Sequence, residues 1–399
     1  MKCRICNNHT EIFISFGKMP IANGFLLEKD FKNEYFFELA AVFCENCFTV
    51  QLKNQPNPKL MFHKNYAFFS KSSKHMQSHF QKYAEWVNQN YLTSKKPFVV
   101  EIGSNDGILL ENFSKKKIAH LGIEPSSNVA KIARKNGVNT EVNFFDLRIA
   151  KNIVNKYGNA DAILAANVIC HIPNLNEIIK AVQLLLKKDG VFIFEDPYIG
   201  DIIKKVSYDQ FYDEHVFFFS ALSVQNIFKN SDFELIDILP QETHGGSMRY
   251  VLCKKGIRKI SNNVLKIIQR EKKMGLNKKS TFNKFRKNCE LSKKRIQIML
   301  KDFKKKEKKV VGYGATSKST TILNYCKIGP DLIHFISDTT PIKQNKFTPG
   351  MHIPVKPYNE FIKYNPDIAF LFAWNHKKEI ESKEKFFIKK GGRFVCHIF

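Results

Sequence analysis

The stretch "PFVVEIGSNDGILLENF" constrains the fold of this chain more than any other. A short apolar run, strand-like in length, leads into a loop with two glycines and then into a helical pattern. Gly103 and Gly107 let the backbone approach a ligand closely at a helix N-terminus. The same order returns in "IAHLGIEPSSNVAKIARKNG". Further strand edges followed by polar residues stand in "GVNTEVNFFDL", "ADAILAANVICHIPNL" and "GVFIFEDP". Alternation of this kind predicts an α/β fold, with a parallel, doubly wound sheet over residues 75–253. A second, smaller α/β unit is expected over 310–399, where "KKVVGYGATSKSTTILNYC" again reads as strand, glycine loop and helix, and "LIHFISDTTP", "PDIAFLFAW" and "GRFVCHIF" supply further strands.

The two glycine loops differ in chemistry. In the first, the charge of Asp106 would oppose a pyrophosphate but suits a cationic or amino-acid group. Glu124, at the end of the second strand, has the position and chemistry to bind ribose hydroxyls. The spacing Gly103-x-x-x-Gly107 departs from G-x-G-x-x-G and argues against a nicotinamide dinucleotide. The second loop, "GYGATSKST", falls one residue short of both a P-loop and G-x-G-x-x-G, because Ser317 stands where a glycine belongs. A plain helix-capping loop accounts for such a pattern, and so does phosphate contact without ATP hydrolysis or hydride transfer. The latter is favoured here, as a seat for a substrate diphosphate.

Residues 1–70 hold Cys3-x-x-Cys6 and Cys44-x-x-Cys47. Two such knuckles supply four thiolates in a tetrahedron, the arrangement of a closed structural Zn²⁺ site. With no open coordination position, this site folds a small domain and takes no part in chemistry. The net charge of +27 suggests nucleic acid, but residues 254–309 alone carry 22 Lys and Arg against 4 Asp and Glu. Ile296, Leu300 and Phe303 recur there at helical spacing, with few aromatics for base stacking. That segment reads as a solvated basic helix, or helix pair, joining two domains. The N-terminus has no apolar leader-like region and no run is long enough to span a membrane, so a cytoplasmic monomer with no nucleic-acid or membrane partner is expected.

Glu101, Gly103, Asp106 and Gly107 match the first motif of class I methyltransferases. The resemblance implies that this loop, with Ser104 and Asn105, holds the aminocarboxypropyl part of S-adenosylmethionine, with Glu124 on the ribose, Asp146 at the adenine amino group and Asn167 near the methyl donor. Over essentially its whole length the chain resembles the nucleotide-sugar C-methyltransferases, which build C-methyl-branched deoxysugars on nucleotide-diphosphate carriers. The carrying motifs are "CRIC", "CENC", "EIGSNDG", "GIEPSSNVA", "YDEHVFFFS", "HGGSMR", "GYGATSKSTT", "PGMHIPV" and "WNHKKEI". The resemblance makes Glu214 and His215 a catalytic pair with Tyr212 beside it, and His171 a second active-site histidine. It adds Tyr66 from the segment joining the first two domains, where Phe68 replaces a second tyrosine. His244 and Arg249, and in the C-terminal unit Tyr313, Thr316 and Lys318, are then expected at the substrate.

A sugar carbon has no lone pair, so methylating it requires an acidic C–H beside a ketone. The implied reaction is methyl transfer to C-3 of a nucleotide-linked 4-keto-6-deoxysugar through an enolate, with a sugar O-methyltransferase as the alternative. His215 suits the base, its unperturbed pKa being about 6.5. Glu214 either orients or balances it, or is held elsewhere while another group holds the ring. His171, Tyr212 and His244 are donors to the enolate, at about 2.7–4 kcal/mol per good donor. The phenylalanines after His215 exclude water, and Asp213 is expected to face solvent.

Overall fold

The computed structural model describes every residue except Asn65, Ala67, Phe68 and Phe399, so the tyrosine-to-phenylalanine departure at Phe68 lies outside the described residues. Three sheets organise the chain. β1 (Glu11–Pro20), β2 (Phe36–Phe43) and β3 (Val50–Leu52) run antiparallel next to one another. The central unit follows with β4 (Phe98–Ile102), β5 (Ala119–Ile123), β6 (Thr140–Glu141), β7 (Ala160–Ala166) and β8 (Leu186–Pro197). It continues with β9 (Phe217–Phe218), β10 (Phe233–Gln241) and β11 (Ser247–Lys254).

The seven-stranded central sheet has the order β10-β11-β8-β7-β4-β5-β6. Its β4 to β8 pairings are parallel, and the buried strands β4 and β7 are apolar almost throughout, as burial on both faces demands. β11 lies antiparallel between β8 and β10, which the wholly parallel expectation had not foreseen. The cause is the turn in "HGGSMR": Gly245 (φ +88°) and Gly246 (φ +127°) reverse the chain between β10 and β11. Strand order reverses at β4, with β5 on one side and β7 on the other, and a crevice opens beyond the carboxyl ends of those strands.

The C-terminal sheet comprises β12 (Val310–Tyr313), β13 (Ile336–Ser337), β14 (Lys346–Phe347), β15 (Pro354–Lys356), β16 (Ile368–Leu371) and β17 (Arg393–Val395). Its order is β14-β15-β13-β12-β16-β17, and every pairing except β14–β15 is parallel.

Two connections weld these units together. β9, from "FYDEHVFFFS", leaves the central unit and pairs antiparallel with β3, Val50 opposite Phe218 and Gln51 opposite Phe217. Side chains alternate across β9: Phe218 stacks on Phe211 at 4.0 Å, while Phe217 packs with Phe219 at 5.9 Å. The basic segment forms helices Asn262–Met274 and Lys279–Lys305, and it is more than a solvated link. Phe282, Phe285, Cys289, Ile296 and Leu300 lie on one face and are buried; Phe282 stacks on Phe43 of β2 at 4.3 Å. One continuous apolar core takes in residues of all three sheets. Among the described residues, no helix is long and apolar enough to cross a membrane.

The four sequence-predicted thiols come together at the open end of the first sheet. Their sulfurs all lie within 4.8 Å of one another, with Cys3–Cys47 at 3.6 Å and Cys6–Cys44 at 3.4 Å. A tetrahedron with Zn–S bonds of about 2.3 Å has edges of about 3.8 Å, so the cluster fits Zn²⁺. Each knuckle is a tight turn, closed by Asn7 N–H to Cys3 O (3.0 Å) and Phe48 N–H to Cys44 O (2.8 Å). Hydrogen bonds from Cys44 and Cys47 pull the Cys3 thiol down, while hydrogen bonding to Cys3 pushes those two up, as expected of thiols crowded together; a bound cation would favour their thiolate forms.

Two stability predictions follow from this frame. Titrating the thiols with a mercurial in the presence of a zinc-sensitive dye should release close to one Zn²⁺ per chain and lower the thermal midpoint; release of none would overturn the site. Glu271, fully buried, accepts Ala221 N–H (2.8 Å) and Leu222 N–H (2.9 Å) at the start of helix Ala221–Phe228. Glu271→Ala leaves two buried amides unpaired and should cost about 2–5 kcal/mol in chemical denaturation.

Candidate active site

A cleft of about 730 Å³ runs from the carboxyl ends of β4, β5 and β7 to the glycine loop after β12. Fifteen of the nineteen non-metal residues singled out in the sequence line it. At one end lie Glu101, Gly103, Ser104, Asn105, Glu124 and Asn167; in the middle Tyr66, His171, Tyr212, Glu214, His215 and His244; at the far end Tyr313, Thr316 and Lys318.

The first end is polar and short of partners. Gly103 (φ +68°) passes so close to Val168 that a Cβ would stand 2.3 Å from its Cγ2, so the loop tolerates no side chain there. Glu124 fixes the loop: Oε2 accepts Asn105 N–H (2.9 Å) and Oε1 accepts Ser126 N–H (2.8 Å). Buried oxygens of Glu101 and Asn167 and the Ser104 hydroxyl have no hydrogen-bond partner among the described residues. Burial, then Asp106 and Glu124, push the Glu101 carboxyl well above its usual range. A buried acid, a hydroxyl and an amide oxygen left unpaired at a glycine loop fit a ligand with hydrogen-bond donors and positive charge, which would favour the ionised form of Glu101; that is the chemistry of S-adenosylmethionine. The linker crosses over this loop, Ser70 N–H donating to Asn105 Oδ1 (3.2 Å) and Lys71 N–H to Asp106 Oδ2 (2.9 Å).

In the middle, His215 Nδ1 donates to the Gln210 carbonyl at 2.9 Å, which leaves Nε2 as the acceptor for the Tyr212 hydroxyl at 2.7 Å. Glu214 does not touch that ring. It accepts Asn23 Nδ2–H (2.7 Å) and Tyr66 O–H (3.1 Å), so the ring is held by a backbone carbonyl instead. Burial, then the neighbouring His171, drive the His215 pKa well down. His171 stacks on His215 with ring centroids 5.2 Å apart, its buried Nε2 has no partner among the described residues, and burial lowers its pKa to about 3. His244 sits in the left-handed region (φ +55°) with its pKa likewise lowered to about 3 by burial. Asp213 does not face solvent: it is 1% exposed and accepts Ala22 N–H at 3.0 Å.

At the far end, Lys318 donates to the His244 carbonyl and to Asn375 Oδ1, both at 3.4 Å. Lys343, unnoticed in the sequence, donates to the Ala315 carbonyl at 2.8 Å and also lines the cleft. Among the described residues, neither buried ammonium has a carboxylate within ion-pair distance, and burial lowers both pKa values. Asp338 repeats the role of Glu124, accepting Ala315 N–H and Thr340 N–H, each at 2.7 Å. Its place after the second strand of a glycine-loop unit was a signal the sequence offered. Asn23 and Gln210 had none, because one acts across 191 residues and the other through its backbone.

Four expected residues stay out of the cleft lining. Asp106 is turned onto the linker amide, and Gly107 (φ +80°) packs toward Val138. Asp146 caps helix Leu147–Tyr157 through Ile149 N–H (2.7 Å), and the neighbouring Phe144 and Phe145 line the cleft instead. Arg249 does not reach the substrate region: it forks onto Glu195 Oε2 (3.1 and 2.9 Å) and lies over the Tyr83 ring at 3.6 Å. Burial alone would raise Glu195; His79 and Arg249 outweigh it and hold the carboxylate at about 2. Through Thr243, which donates to Glu195 at 3.0 Å, the cluster anchors the turn that carries His244.

Three family models match consecutive parts of the chain. Residues 3–62 match the family model described as "Putative zinc binding domain", 74–238 a methyltransferase domain, and 242–398 a C-methyltransferase C-terminal domain. C-methyltransferase NovU of Streptomyces niveus is 29% identical over 400 residues, covering 100% of this chain and 95% of the relative. Among solved structures, magnesium protoporphyrin IX methyltransferase from Synechocystis with bound S-adenosylhomocysteine aligns at 14% identity and TM-score 0.35, covering 45% of this chain and 83% of that one. A methyltransferase from Clostridium acetobutylicum aligns at 18% identity and TM-score 0.36, covering 47% and 94%. The chain is an S-adenosylmethionine-dependent methyltransferase, similar over its full length to a C-methyltransferase, with a methyltransferase core set between a region that matches a putative zinc-binding domain and one that matches a C-methyltransferase C-terminal domain.

Proposed function

We propose that this enzyme transfers a methyl group to C-3 of a nucleotide-diphosphate-linked 4-keto-6-deoxysugar, with His215 as the base. One observation carries the reading: a single cleft joins the glycine loop of the core to the two unpaired lysines of the C-terminal unit, with the Tyr212–His215 pair between them. Those lysines suit a diphosphate. The full-length similarity to a C-methyltransferase supports carbon over oxygen as the acceptor.

The residues divide the work as follows. Glu101, Ser104, Asn105, Glu124 and Asn167 bind S-adenosylmethionine, which supplies an electrophilic methyl group on a sulfonium. Tyr313, Thr316, Lys318 and Lys343 hold the nucleotide end of the substrate. When the ketone enters, the Tyr212 hydroxyl turns from His215 Nε2 to the carbonyl oxygen, and the freed lone pair takes the C-3 proton. The C–H electrons move onto the oxygen as an enolate, held by Tyr212 and by His171 Nε2. The enolate pair then returns through C-3 to form the new C–C bond and the carbonyl is restored, while the sulfonium would leave as the neutral thioether with the C–S electron pair. Burial raises the Glu214 pKa and the hydrogen bonds from Asn23 and Tyr66 offset part of that rise; once His215 takes a proton, the nearby positive charge favours the Glu214 carboxylate, which then balances it.

Incubation with methyl-labelled S-adenosylmethionine and a panel of nucleotide ketosugars should place label on carbon; label on oxygen, or on no sugar, would overturn the reading. His215→Ala should lose about 10²–10⁴ in turnover while still binding the methyl donor, by analogy with other general bases. The pH profile carries its own sign. Burial keeps His215 neutral well below its usual range, so the rate should stay flat as pH falls through about 6.5, where an unperturbed histidine base would already be half protonated. A half-loss near that pH would show that burial does not depress the pKa of the base.

A further inference from the structure

The helix Lys279–Lys305 has two unlike faces, and the methyl-transfer site uses neither end of the outer one. Outward, Lys284, Lys287, Lys294, Lys301 and Lys305 are exposed, with Leu291 and Ile298 between them. The steps along this row are three and four residues throughout, which sets all seven side chains in one stripe about 30 Å long. Leu291 is 64% exposed and Ile298 70%, the latter the most exposed large apolar side chain among the described residues. None of the five lysines has an ion-pair partner among the described residues. The acids beside the stripe are already occupied, Glu290 with Arg286 at 3.8 Å and Asp302 with Lys306 at 2.7 Å. The inner face is packed on the N-terminal sheet, so the stripe is held straight and outward.

The stripe's composition selects its occupant. A second copy of the same helix would bring lysine against lysine. A nucleic-acid backbone would use the charge but gain nothing from two aliphatic side chains, and the stripe has no aromatic on which a base could stack. An anionic bilayer surface satisfies both kinds of group, because lysine stems lie along the apolar boundary while their ammonium heads meet phosphates. We propose that this face docks the enzyme peripherally on anionic phospholipid, with the helix lying in the plane of the surface. This contact is a surface attachment and needs no spanning segment.

Co-sedimentation of the intact enzyme with vesicles tests it, comparing phosphatidylcholine alone with phosphatidylcholine plus phosphatidylglycerol. Binding should need the anionic lipid and weaken with salt. At about 1 kcal/mol per lysine, Lys287→Glu/Lys294→Glu/Lys301→Glu should weaken partition at least about a hundredfold. Leu291→Ser/Ile298→Ser should weaken it with no change in charge. A control of equal charge, Lys131→Glu/Lys135→Glu/Lys151→Glu on exposed helices of the core, should retain most binding. Folding of each variant is checked by thermal midpoint, which these exposed changes should leave in place. Equal losses in the stripe and control variants would reduce the effect to net charge and overturn the proposal. So would failure to bind anionic vesicles, or binding of RNA in their place.

Discussion

Burying charge in consecutive positions is costly unless each group finds partners, and Asp213, Glu214 and His215 are all at least 96% buried. Their partners come from every part of the chain. Asp213 and Glu214 are held by Ala22 and Asn23 of the N-terminal unit, and Glu214 also by Tyr66 of the linker. His215 is held by Gln210 and Tyr212 within its own segment, while Thr321 of the C-terminal unit donates to the Phe211 carbonyl at 2.6 Å. Removing any one contributor leaves a buried polar group unpaired, so the three units are obliged to assemble together. The pairing of β9 with β3 serves the same requirement, because it carries the backbone after His215 into the N-terminal sheet.

This dependence gives the metal cluster a role it could not have as a catalyst. The knuckles flank β1–β3, and the loop after β1 presents Ala22 and Asn23. An N-terminal unit of this size cannot bury enough apolar surface to hold a loop rigidly by itself. Cross-linking its open end through four thiolates, and packing Phe43 and Phe13 on Phe282 of the basic helix, supplies the missing constraint. The long helix therefore serves structure with its inner face and leaves its outer face free.

The architecture was legible in the sequence wherever local pattern decides it. Glycine loops after apolar strands, paired Cys-x-x-Cys and the acid after the second strand each act within a few residues of themselves. Most of the candidate site was legible too, because Tyr212, Glu214 and His215 are adjacent in the chain and their burial followed from the phenylalanines beside them. Contacts set by tertiary geometry were not. Nothing in "PIANGF" announces that Asn23 meets a residue 191 positions away, and a backbone carbonyl such as that of Gln210 has no residue-type signature. Arg249 shows the same limit: a motif places an arginine after a turn but does not say that Glu195, 54 residues away in sequence and directly opposite on β8, will claim it.

The two ends of the cleft solve opposite electrostatic problems with the same local device. Glu124 and Asp338 each bind the amide of their own glycine loop and the amide two residues further on, which freezes both loops before any ligand arrives. Preorganisation of this kind avoids ordering cost at binding. The charge left over then differs. At the first loop the buried groups are the acids Glu101 and Glu124, whose pKa values burial raises, so a cation placed there would favour their charged forms. At the second they are Lys318 and Lys343, whose pKa values burial lowers, so an anion placed there would favour theirs. Between them stand histidines kept neutral by burial, so the middle of the cleft carries little charge of its own until a proton moves. A cation at one end and an anion at the other would thus be drawn to opposite sides of the neutral histidines, which is the order that the proposed methylation requires.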